Sequence, residues 1–263
     1  MDGASFDPRD HPFFRALRTL PRPVIVAHRG WSARFPENTL SAFDAAAGAG
    51  AEMLEFDVHE TADGHCVCIH DETLDRTTDA VARYGRDSIA VASTTLAEIR
   101  ELDAGSWFEP RFAGERVPTL GSVLDRHAPQ LLLMLEHKGG TVTNLLEELE
   151  SHPARHRVMV QSFDLDFVAE CRTRAPWLAL GALGEGRLDH DRWRRITELG
   201  VGLIHWNVHD LRSSDLSMIR GAELLSCVYT ANSDVEWMGC SSMGITAVTT
   251  NHPDRYAELR RRG

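Results

Sequence analysis

The sequence predicts an α/β fold, a (β/α)8 TIM barrel with a small insertion between the second and third barrel strands. Two observations support this architecture. Short apolar runs alternate with amphipathic segments along the chain, as expected for parallel strands joined by crossover helices. About eight such units fit into 263 residues, which is the usual size of one barrel. A doubly wound open sheet is the alternative architecture for the same alternation.

The strands are predicted where apolar residues form short runs, as in strands buried on both faces. These runs are Val24–Ala27, Met53–Val58, Cys66–Ile69, Leu131–Glu136, Val158–Ser162, Leu178–Leu183, Gly202–Trp206, Leu224–Thr230 and Ala247–Thr250. The helices are predicted where amphipathic spacing or a capping residue follows a strand. These segments are 39–49, 143–151, 165–174, 190–199, 212–221 and 233–242. Asp164 and Asp210 are predicted to start two of the helices, and Asn144 a third.

One segment interrupts the alternation. Residues 79–118 hold three glycines, two prolines and a single short helical stretch, Leu96–Leu102. We interpret this segment as the insertion between the second and third barrel strands. We expect the whole chain, residues 1–263, to form one barrel domain that carries it.

Charge and cysteine content limit the partners and the compartment. A net charge of −11 disfavours binding to nucleic acid and stable association with an anionic membrane, since both need a basic surface. An anionic small substrate would need local cations or a metal. The five cysteines form no C-x-x-C pair, which indicates free thiols in a reducing compartment. The N-terminus lacks signal-peptide features and no apolar run reaches the ~18 residues of a membrane span, so we expect a cytoplasmic protein.

Two carboxylates on one predicted strand are the first candidate functional residues. Glu55 and Asp57 are separated by one residue, so both side chains point to the same side of a strand. A solvent-exposed face would explain them, but the apolar residues around them indicate a buried stretch. With Glu136, at the end of the next barrel strand, they would surround one cation. Carboxylate ligands favour Mg²⁺ or Ca²⁺, with Mn²⁺ as a third candidate.

Two histidines and two cations also follow predicted strands, where a barrel delivers side chains to the C-terminal mouth. Most of the 13 histidines are expected on the surface or in packing, but His28 and His70 end apolar runs beside the carboxylates. Because the imidazole pKa lies near neutrality, one ring can accept a proton while the other donates one. Arg29 and Lys138 suit phosphate oxygens, although charge balance with the carboxylates would also explain them.

Three other patterns are weaker. His205 and His209 have the i, i+4 spacing of a helical metal pair, but they are predicted on a strand that leads into a loop. The stretch GALGEG at 181–186 lacks the Gly-Lys-Ser/Thr ending of a phosphate-binding loop. Ser162 lacks the G-x-S-x-G context of a nucleophilic serine. A nucleotide-binding enzyme and a serine hydrolase are therefore disfavoured.

The same residues lie in motifs that resemble those of a known family, the glycerophosphodiester phosphodiesterases. In chain order the motifs are AHRG, PENTLSAF, LEFDVHETADG, IHDETLDRTTD, LDAGSWF, VPTLGSVL, LEHK, VQSF, YTANS and GITAVTTNHPD. They extend from about Val24 to Pro253, nearly the whole chain.

The resemblance implies a metal-dependent barrel that hydrolyses glycerophosphodiesters, such as glycerophosphocholine or glycerophosphoethanolamine, to glycerol 3-phosphate and an alcohol. A monomer or a homodimer would suit this activity on a small substrate. The site residues that it implies are His28 and His70 for acid/base catalysis, Glu55, Asp57 and Glu136 for the metal, and Arg29, Lys138, Glu37 and Asn38 for the substrate.

The chain departs from the family pattern in places. Asn251, in TTNHP, stands where the family usually has an acid, and Tyr229, in YTANS, stands where it usually has a tryptophan. Neither change removes a proposed catalytic or metal group. Two other functions stay open: a phospholipase D-like activity that cleaves lysophospholipids with the same chemistry, and a barrel that binds ligands without turnover.

Overall fold

Parallel strands close into a barrel. The computed structural model describes residues 10–262; residues 1–9 and Gly263, which belong to the domain predicted over 1–263, lie outside the described residues. The strands are β1 Val24–His28, β2 Met53–Glu60, β3 Cys66–Cys68, β4 Leu132–Gly139, β5 Val158–Ser162, β6 Ala179–Gly184, β7 Leu203–Asn207, β8 Leu225–Tyr229 and β9 Ala247–Thr250. All except β3 are parallel and form the ring β1-β2-β4-β5-β6-β7-β8-β9, which closes because β9 pairs with β1. The (β/α)8 barrel is confirmed, and the pairing of β9 with β1 rules out an open sheet.

The described residues also form helices, most of which follow the strands on the outside of the barrel. They are α1 Pro12–Thr19, α2 Leu40–Gly48, α3 Ala80–Tyr84, α4 Leu96–Ile99, α5 Leu120–His127, α6 Val142–Ser151, α7 Leu165–Arg174, α8 His190–Glu198, α9 Ser213–Gly221, α10 Asp234–Ser242 and α11 Pro253–Arg262. Several begin at a side-chain cap, which satisfies backbone N–H groups of the first turn. Thr39 caps α2 and Asp164 caps α7. None of the described helices is both long enough and apolar enough to cross a bilayer.

Side chains alternate between the two faces of each strand, so the protein has one hydrophobic core inside the barrel and another between the barrel and the helices. On β2, Leu54 and Phe56 pack in the layer between barrel and helices, whereas Met53 packs inside the barrel. Because side chains repeat every two residues, Glu55 and Asp57 share the inner side with Met53. They follow it toward the carboxyl end of the strand. The strand therefore delivers both carboxylates to the C-terminal mouth of the barrel.

Helix α1 closes the opposite end of the barrel. Phe13, Phe14 and Leu17 are fully buried and belong to the same cluster as the inward side chains of the strands. Gly202, just before β7, provides the space: a β-carbon there would lie 2.2 Å from Phe14 Cε2. Helix α1 was not among the predicted helices.

Before the predicted insertion, residues 79–118, the short strand β3 pairs antiparallel with β2 outside the ring. Residues 79–118 then form two short α-helices, α3 and α4, and two 3-10 turns at Val91–Ser93 and Pro110–Phe112. Their apolar side chains share a separate small core with Val67 and Ile69. The insertion therefore packs beside the mouth and leaves the ring unbroken.

Most differences from the predicted elements are shifts of a few residues at element ends. The prediction that Asp210 starts a helix is wrong, because α9 begins at Ser213 and Arg212 is the residue before it. The Asp210 carboxylate instead accepts a hydrogen bond from the backbone N–H of Gly186, at 2.7 Å. Asn144 does not begin its helix either: α6 begins at Val142.

Candidate active site at the mouth of the barrel

Three buried carboxylates meet at the mouth. The parallel pairing sets Asp57 of β2 beside Glu136 of β4, and Glu55 lies one inward position earlier on β2. Glu55, Asp57 and Glu136 are 2%, 0% and 8% exposed, so a solvent-exposed face does not explain them. Each offers one ligand oxygen, and these oxygens all lie within 4.8 Å of one another. We call these three residues the acidic cluster.

The cluster is electrostatically strained. Burial and the charges of Asp57 and Glu136 raise the pKa of Glu55 well above its usual range. Burial and the charge of Asp57 raise the pKa of Glu136 to about 7, despite the nearby ammonium of Lys138. Burial also opposes ionisation of Asp57, but Arg29 and Lys138 outweigh it and hold the pKa of that carboxyl below its usual range. Three ionised carboxylates at this spacing need more positive charge than these two side chains supply.

A hard divalent cation fits this group of donors. Lys138 Nζ lies 2.5 Å from Glu136 Oε1 and 3.5 Å from Asp57 Oδ1, and Arg29 Nε lies 3.1 Å from Asp57 Oδ2. Arg29 is also shared with a fourth carboxylate, that of Glu37. The donors are all carboxylate oxygens, the type that Mg²⁺, Ca²⁺ and Mn²⁺ prefer. The residues present therefore match a cation site of that kind.

The loop between β1 and α2 braces the cluster. Its Arg29 and Asn38 both have positive φ, 53° and 56°, a conformation uncommon for residues other than glycine and frequent at functional sites. The Asn38 amide donates to Asp57 Oδ2 at 2.9 Å, and the Arg29 backbone N–H donates to Glu55 Oε2 at 3.1 Å. Arg29 Nη1 donates to Glu37 at 2.9 Å. The predicted residues of this loop thus contact the cluster or its neighbours.

His28 ends β1 next to the cluster, in register with Glu55. Its Nδ1 lies 2.6 Å from the side-chain oxygen of Asn251, which also accepts a hydrogen bond from Ser32 Oγ at 3.1 Å. Burial of the ring and the charge of Arg29 lower the pKa of His28 to about 4. A neutral ring that donates from Nδ1 to the Asn251 oxygen has a free electron pair on Nε2.

His70 follows β3 on the other side of the mouth. Its Nδ1 lies 2.7 Å from Asp71 Oδ1, and its side chain is 32% exposed. A cavity of about 430 Å³ has both His70 and Lys138 in its lining. A molecule that binds Lys138 in this cavity would therefore also lie close to His70.

Two contacts of the site were not predicted from the sequence. Asn251 was identified only as a departure from the family pattern, yet it is the partner of His28. Arg76 received no role, yet it contacts both Asp71 and Glu37. The departure in TTNHP was a signal for Asn251, but no spacing in the sequence signals the contacts of Arg76.

The two histidines with the spacing of a helical metal pair, His205 and His209, do not lie on a helix. His205 lies on β7 and His209 beyond its end. His205 faces the barrel interior, where Nδ1 lies 3.0 Å from Gln161 Oε1 and Nε2 lies 3.0 Å from Thr249 Oγ1. On the intervening strand β6, Gly181 is in register with Gln161 and Leu183 with His205, so the position beside Gln161 carries no side chain.

The fold and the acidic cluster define the chain as an α/β-barrel protein with a candidate divalent-cation site at its C-terminal mouth. Residues 28–255 match the glycerophosphoryl diester phosphodiesterase family. A glycerophosphodiester phosphodiesterase of Caldanaerobacter subterraneus is 32% identical over 92% of this chain and 99% of its own. One of Bacillus subtilis is 31% identical over 93% and 89%.

Solved structures agree with this assignment. A phosphodiesterase of Oleispira antarctica, solved in complex with the product sn-glycerol-3-phosphate, is 27% identical and superposes with a TM-score of 0.84 over 94% of this chain and 99% of its own. A glycerophosphodiester phosphodiesterase of Agrobacterium tumefaciens is 27% identical, with a TM-score of 0.77 over 89% and 98%. The chain belongs to the glycerophosphoryl diester phosphodiesterase family, and the enzyme class expected from the sequence is confirmed.

Proposed function

We propose that this protein hydrolyses glycerophosphodiesters, such as glycerophosphocholine or glycerophosphoethanolamine, to glycerol 3-phosphate and an alcohol, and that it needs a divalent cation. The observation that carries the proposal is the acidic cluster, whose three ligand oxygens lie within 4.8 Å of one another beside Arg29 and Lys138. The glycerol-3-phosphate product of the Oleispira antarctica phosphodiesterase supports the substrate class.

Glu55, Asp57 and Glu136 would hold the cation, with Mg²⁺, Ca²⁺ and Mn²⁺ as the candidates. When bound, the ion would supply positive charge to neutralise the phosphate as negative charge develops on it. Arg29 and Lys138 would hold the same phosphate by charge-assisted hydrogen bonds. The ion pair of Arg29 with Glu37 fixes the orientation of its guanidinium. Glu37 and Asn38 thus serve substrate binding through the residues that they brace.

His28 acts as the general base. Because burial and the charge of Arg29 lower its pKa to about 4, the ring is neutral near pH 7 and its Nε2 can take a proton from the nucleophile. The nucleophile is either water, which gives glycerol 3-phosphate directly, or the secondary hydroxyl of the substrate glycerol, which gives a cyclic phosphate that water then opens to glycerol 3-phosphate. His70 acts as the general acid and gives its proton to the departing alkoxide, which is otherwise a poor leaving group. The Asp71 carboxylate, 2.7 Å from Nδ1, orients the His70 ring.

We also propose a cytoplasmic location and a single domain over residues 1–263. The five cysteines are free and buried, as expected in a reducing compartment. The net charge of −11 fits a small-molecule substrate better than nucleic acid or an anionic bilayer. A monomer or a homodimer would serve a site built from one chain.

The decisive experiment is a coupled assay for glycerol 3-phosphate over a panel of glycerophosphodiesters, with Mg²⁺, Mn²⁺ or Ca²⁺ added in turn. Release of glycerol 3-phosphate that requires one of these ions supports the proposal. Release of the alcohol from lysophosphatidylcholine but not from glycerophosphocholine would favour the phospholipase D-like activity. Binding of glycerophosphodiesters without turnover under any ion would indicate a non-catalytic barrel.

A further inference from the structure

Arg76 lies in the segment that follows β3, outside the proposed catalytic and binding residues, and joins two carboxylates from different parts of the chain. Its Nε donates to Asp71 Oδ2 at 2.7 Å and its Nη2 donates to Asp71 Oδ1 at 2.9 Å. Its Nη1 and Nη2 donate to the two oxygens of Glu37 at 3.0 and 2.8 Å. One planar guanidinium thus makes two paired contacts, one on each edge.

Each of these carboxylates has a second partner in the site. Asp71 Oδ1 lies 2.7 Å from His70 Nδ1, and Glu37 Oε1 accepts from Arg29 Nη1 at 2.9 Å. The contacts form one continuous chain: His70, Asp71, Arg76, Glu37, Arg29. Its first member is the proposed general acid and its last holds the phosphate. The two ends follow different strands, Arg29 after β1 and His70 after β3, and the side-chain contacts connect them across the mouth.

An ordinary surface ion pair would not hold His70 and Arg29 in fixed relative positions. Pairs between exposed, flexible side chains contribute little to stability, and the Arg76 side chain is 43% exposed. Here, however, both carboxylates are mostly covered, with Glu37 and Asp71 side chains 15% and 29% exposed. The hydrogen bonds from Arg76 also help to lower the pKa of both carboxyls, which keeps them ionised. A lysine is a single point charge and cannot reproduce the paired contacts.

We infer that Arg76 is a positioning residue that fixes the His70 ring relative to the phosphate-binding Arg29 by clamping Asp71 to Glu37. This inference rests on the proposed function for the roles of His70 and Arg29. The clamp itself is a property of the described contacts.

The first test compares Arg76→Met and Arg76→Lys with Arg83→Met. Arg83 is a matched control, because its side chain is 45% exposed and forms an ion pair with Glu101 away from the site. We expect both Arg76 variants to lose about 10- to 100-fold in kcat/KM, as for other residues that orient catalytic groups, and Arg83→Met to keep nearly full activity. Millimolar guanidinium should restore part of the activity of Arg76→Met only. Full activity in Arg76→Lys would overturn the inference, even if Arg76→Met fails to fold.

The second test measures coupling. Glu37→Gln, Asp71→Asn and the double variant are made with Arg76 present and in the Arg76→Met background. If Arg76 links the two carboxylates, their effects on kcat/KM are non-additive with Arg76 and become additive without it. A purely structural arginine would lower activity without abolishing the coupling. Coupling of the same size in both backgrounds would refute the clamp.

Failure of the proposed function is a separate result. If the unmodified protein releases no glycerol 3-phosphate under any ion, that function is wrong, and the clamp is judged from crystal structures of Arg76→Met and the unmodified protein. Separation of Asp71 from Glu37, with a reoriented His70 ring, supports the inference. Unchanged positions of all three side chains overturn it.

Discussion

His28 Nδ1 and the side-chain oxygen of Asn251 lie 2.6 Å apart, across the neighbouring strands β1 and β9. Asn251 is itself held, because its backbone N–H donates to Asn232 Oδ1 at 2.9 Å. An amide oxygen only accepts, so a neutral His28 that donates to it from Nδ1 carries its free electron pair on Nε2. It also gives His28 a neutral partner where the family usually has an acid.

Replacing Asn251 tests whether its neutral amide sets the pKa and the orientation of His28. Asn251→Leu removes the acceptor, and we expect kcat/KM at pH 7 to fall by about tenfold or more, as for other residues that orient a catalytic histidine. Asn251→Asp keeps the acceptor and adds a negative charge, which favours the imidazolium and raises the pKa of His28 from about 4. A base must be unprotonated, so the acid limb of the kcat/KM profile should move to higher pH in Asn251→Asp. Superimposable profiles would show that His28 is not the base.

Removal of either proposed acid/base group should be costly. His28→Ala and His70→Ala are each expected to lower kcat by ~10²–10⁴-fold, the usual contribution of a general acid or base. His156→Ala is a suitable control, because His156 is exposed in the turn before β5. The measurement is steady-state release of glycerol 3-phosphate. Near-full turnover in either site variant would remove that histidine from the mechanism.

The barrel was predictable because strands buried on both faces appear in the sequence as uninterrupted apolar runs. Val158–Ser162 and Ala247–Thr250 match the observed strands at both ends. The carboxylates were found for a related reason: polar residues at the end of an apolar strand are conspicuous. The alternation of Glu55 and Asp57 then fixed their common side.

Features that depend on distant contacts were not predictable in the same way. The contact between Arg76 and Glu37 joins residues 39 positions apart in two irregular loops, and neither loop has a periodic pattern. Helix α1 has only eight residues, and its place in the barrel depends on the missing side chain of Gly202. Asp210 was misassigned because an aspartate before a helix can equally well bind a neighbouring backbone N–H.

The cation requirement can be tested both by activity and by thermal stability. Treatment with EDTA should abolish activity, and re-addition of one of the candidate ions should restore it. A ligand that binds only the folded state at 100 times its Kd stabilises by about 2.7 kcal/mol, so the same ion should raise Tm measurably. Glu55→Gln should lose this increase, whereas Glu147→Gln, an exposed position on α6, should keep it. Activity that survives thorough chelation would contradict the assignment of the acidic cluster.

The packing of α1 predicts a large effect from a very small substitution. In Gly202→Ala the new β-carbon would lie 2.2 Å from Phe14 Cε2, so the helix or the strand must shift. We expect a loss of about 1–3 kcal/mol in the free energy of unfolding, typical of overpacked cores. Gly239→Ala is the matched control, since a β-carbon at that position on α10 meets nothing within 4 Å. Equal stability of the two variants in urea would mean that α1 does not close the barrel as described.

Acid should destabilise the protein partly through His205. Burial, and to a lesser extent the charge of His28, lowers the pKa of His205 to about 3 in the folded state, whereas an unfolded histidine titrates near its usual 6.5. Between these values the unfolded chain binds a proton that the folded chain does not. The free energy of unfolding must therefore fall as the pH falls below about 6.5, with a loss on the order of 2 kcal/mol between pH 7 and pH 5 from this residue.

His205→Asn isolates this contribution. The substitution removes hydrogen bonds to Gln161 and Thr249, so we expect a less stable protein at pH 7. The informative quantity is the slope of the free energy of unfolding against pH, measured by urea unfolding at several pH values. This free energy should decline less steeply with falling pH in the variant than in the unmodified protein. The reason is that the variant has one neutral buried imidazole fewer that must take up a proton on unfolding. Parallel declines would mean that acid lability comes from other groups, among them the buried His11 and His127, whose pKa values are also lowered by burial.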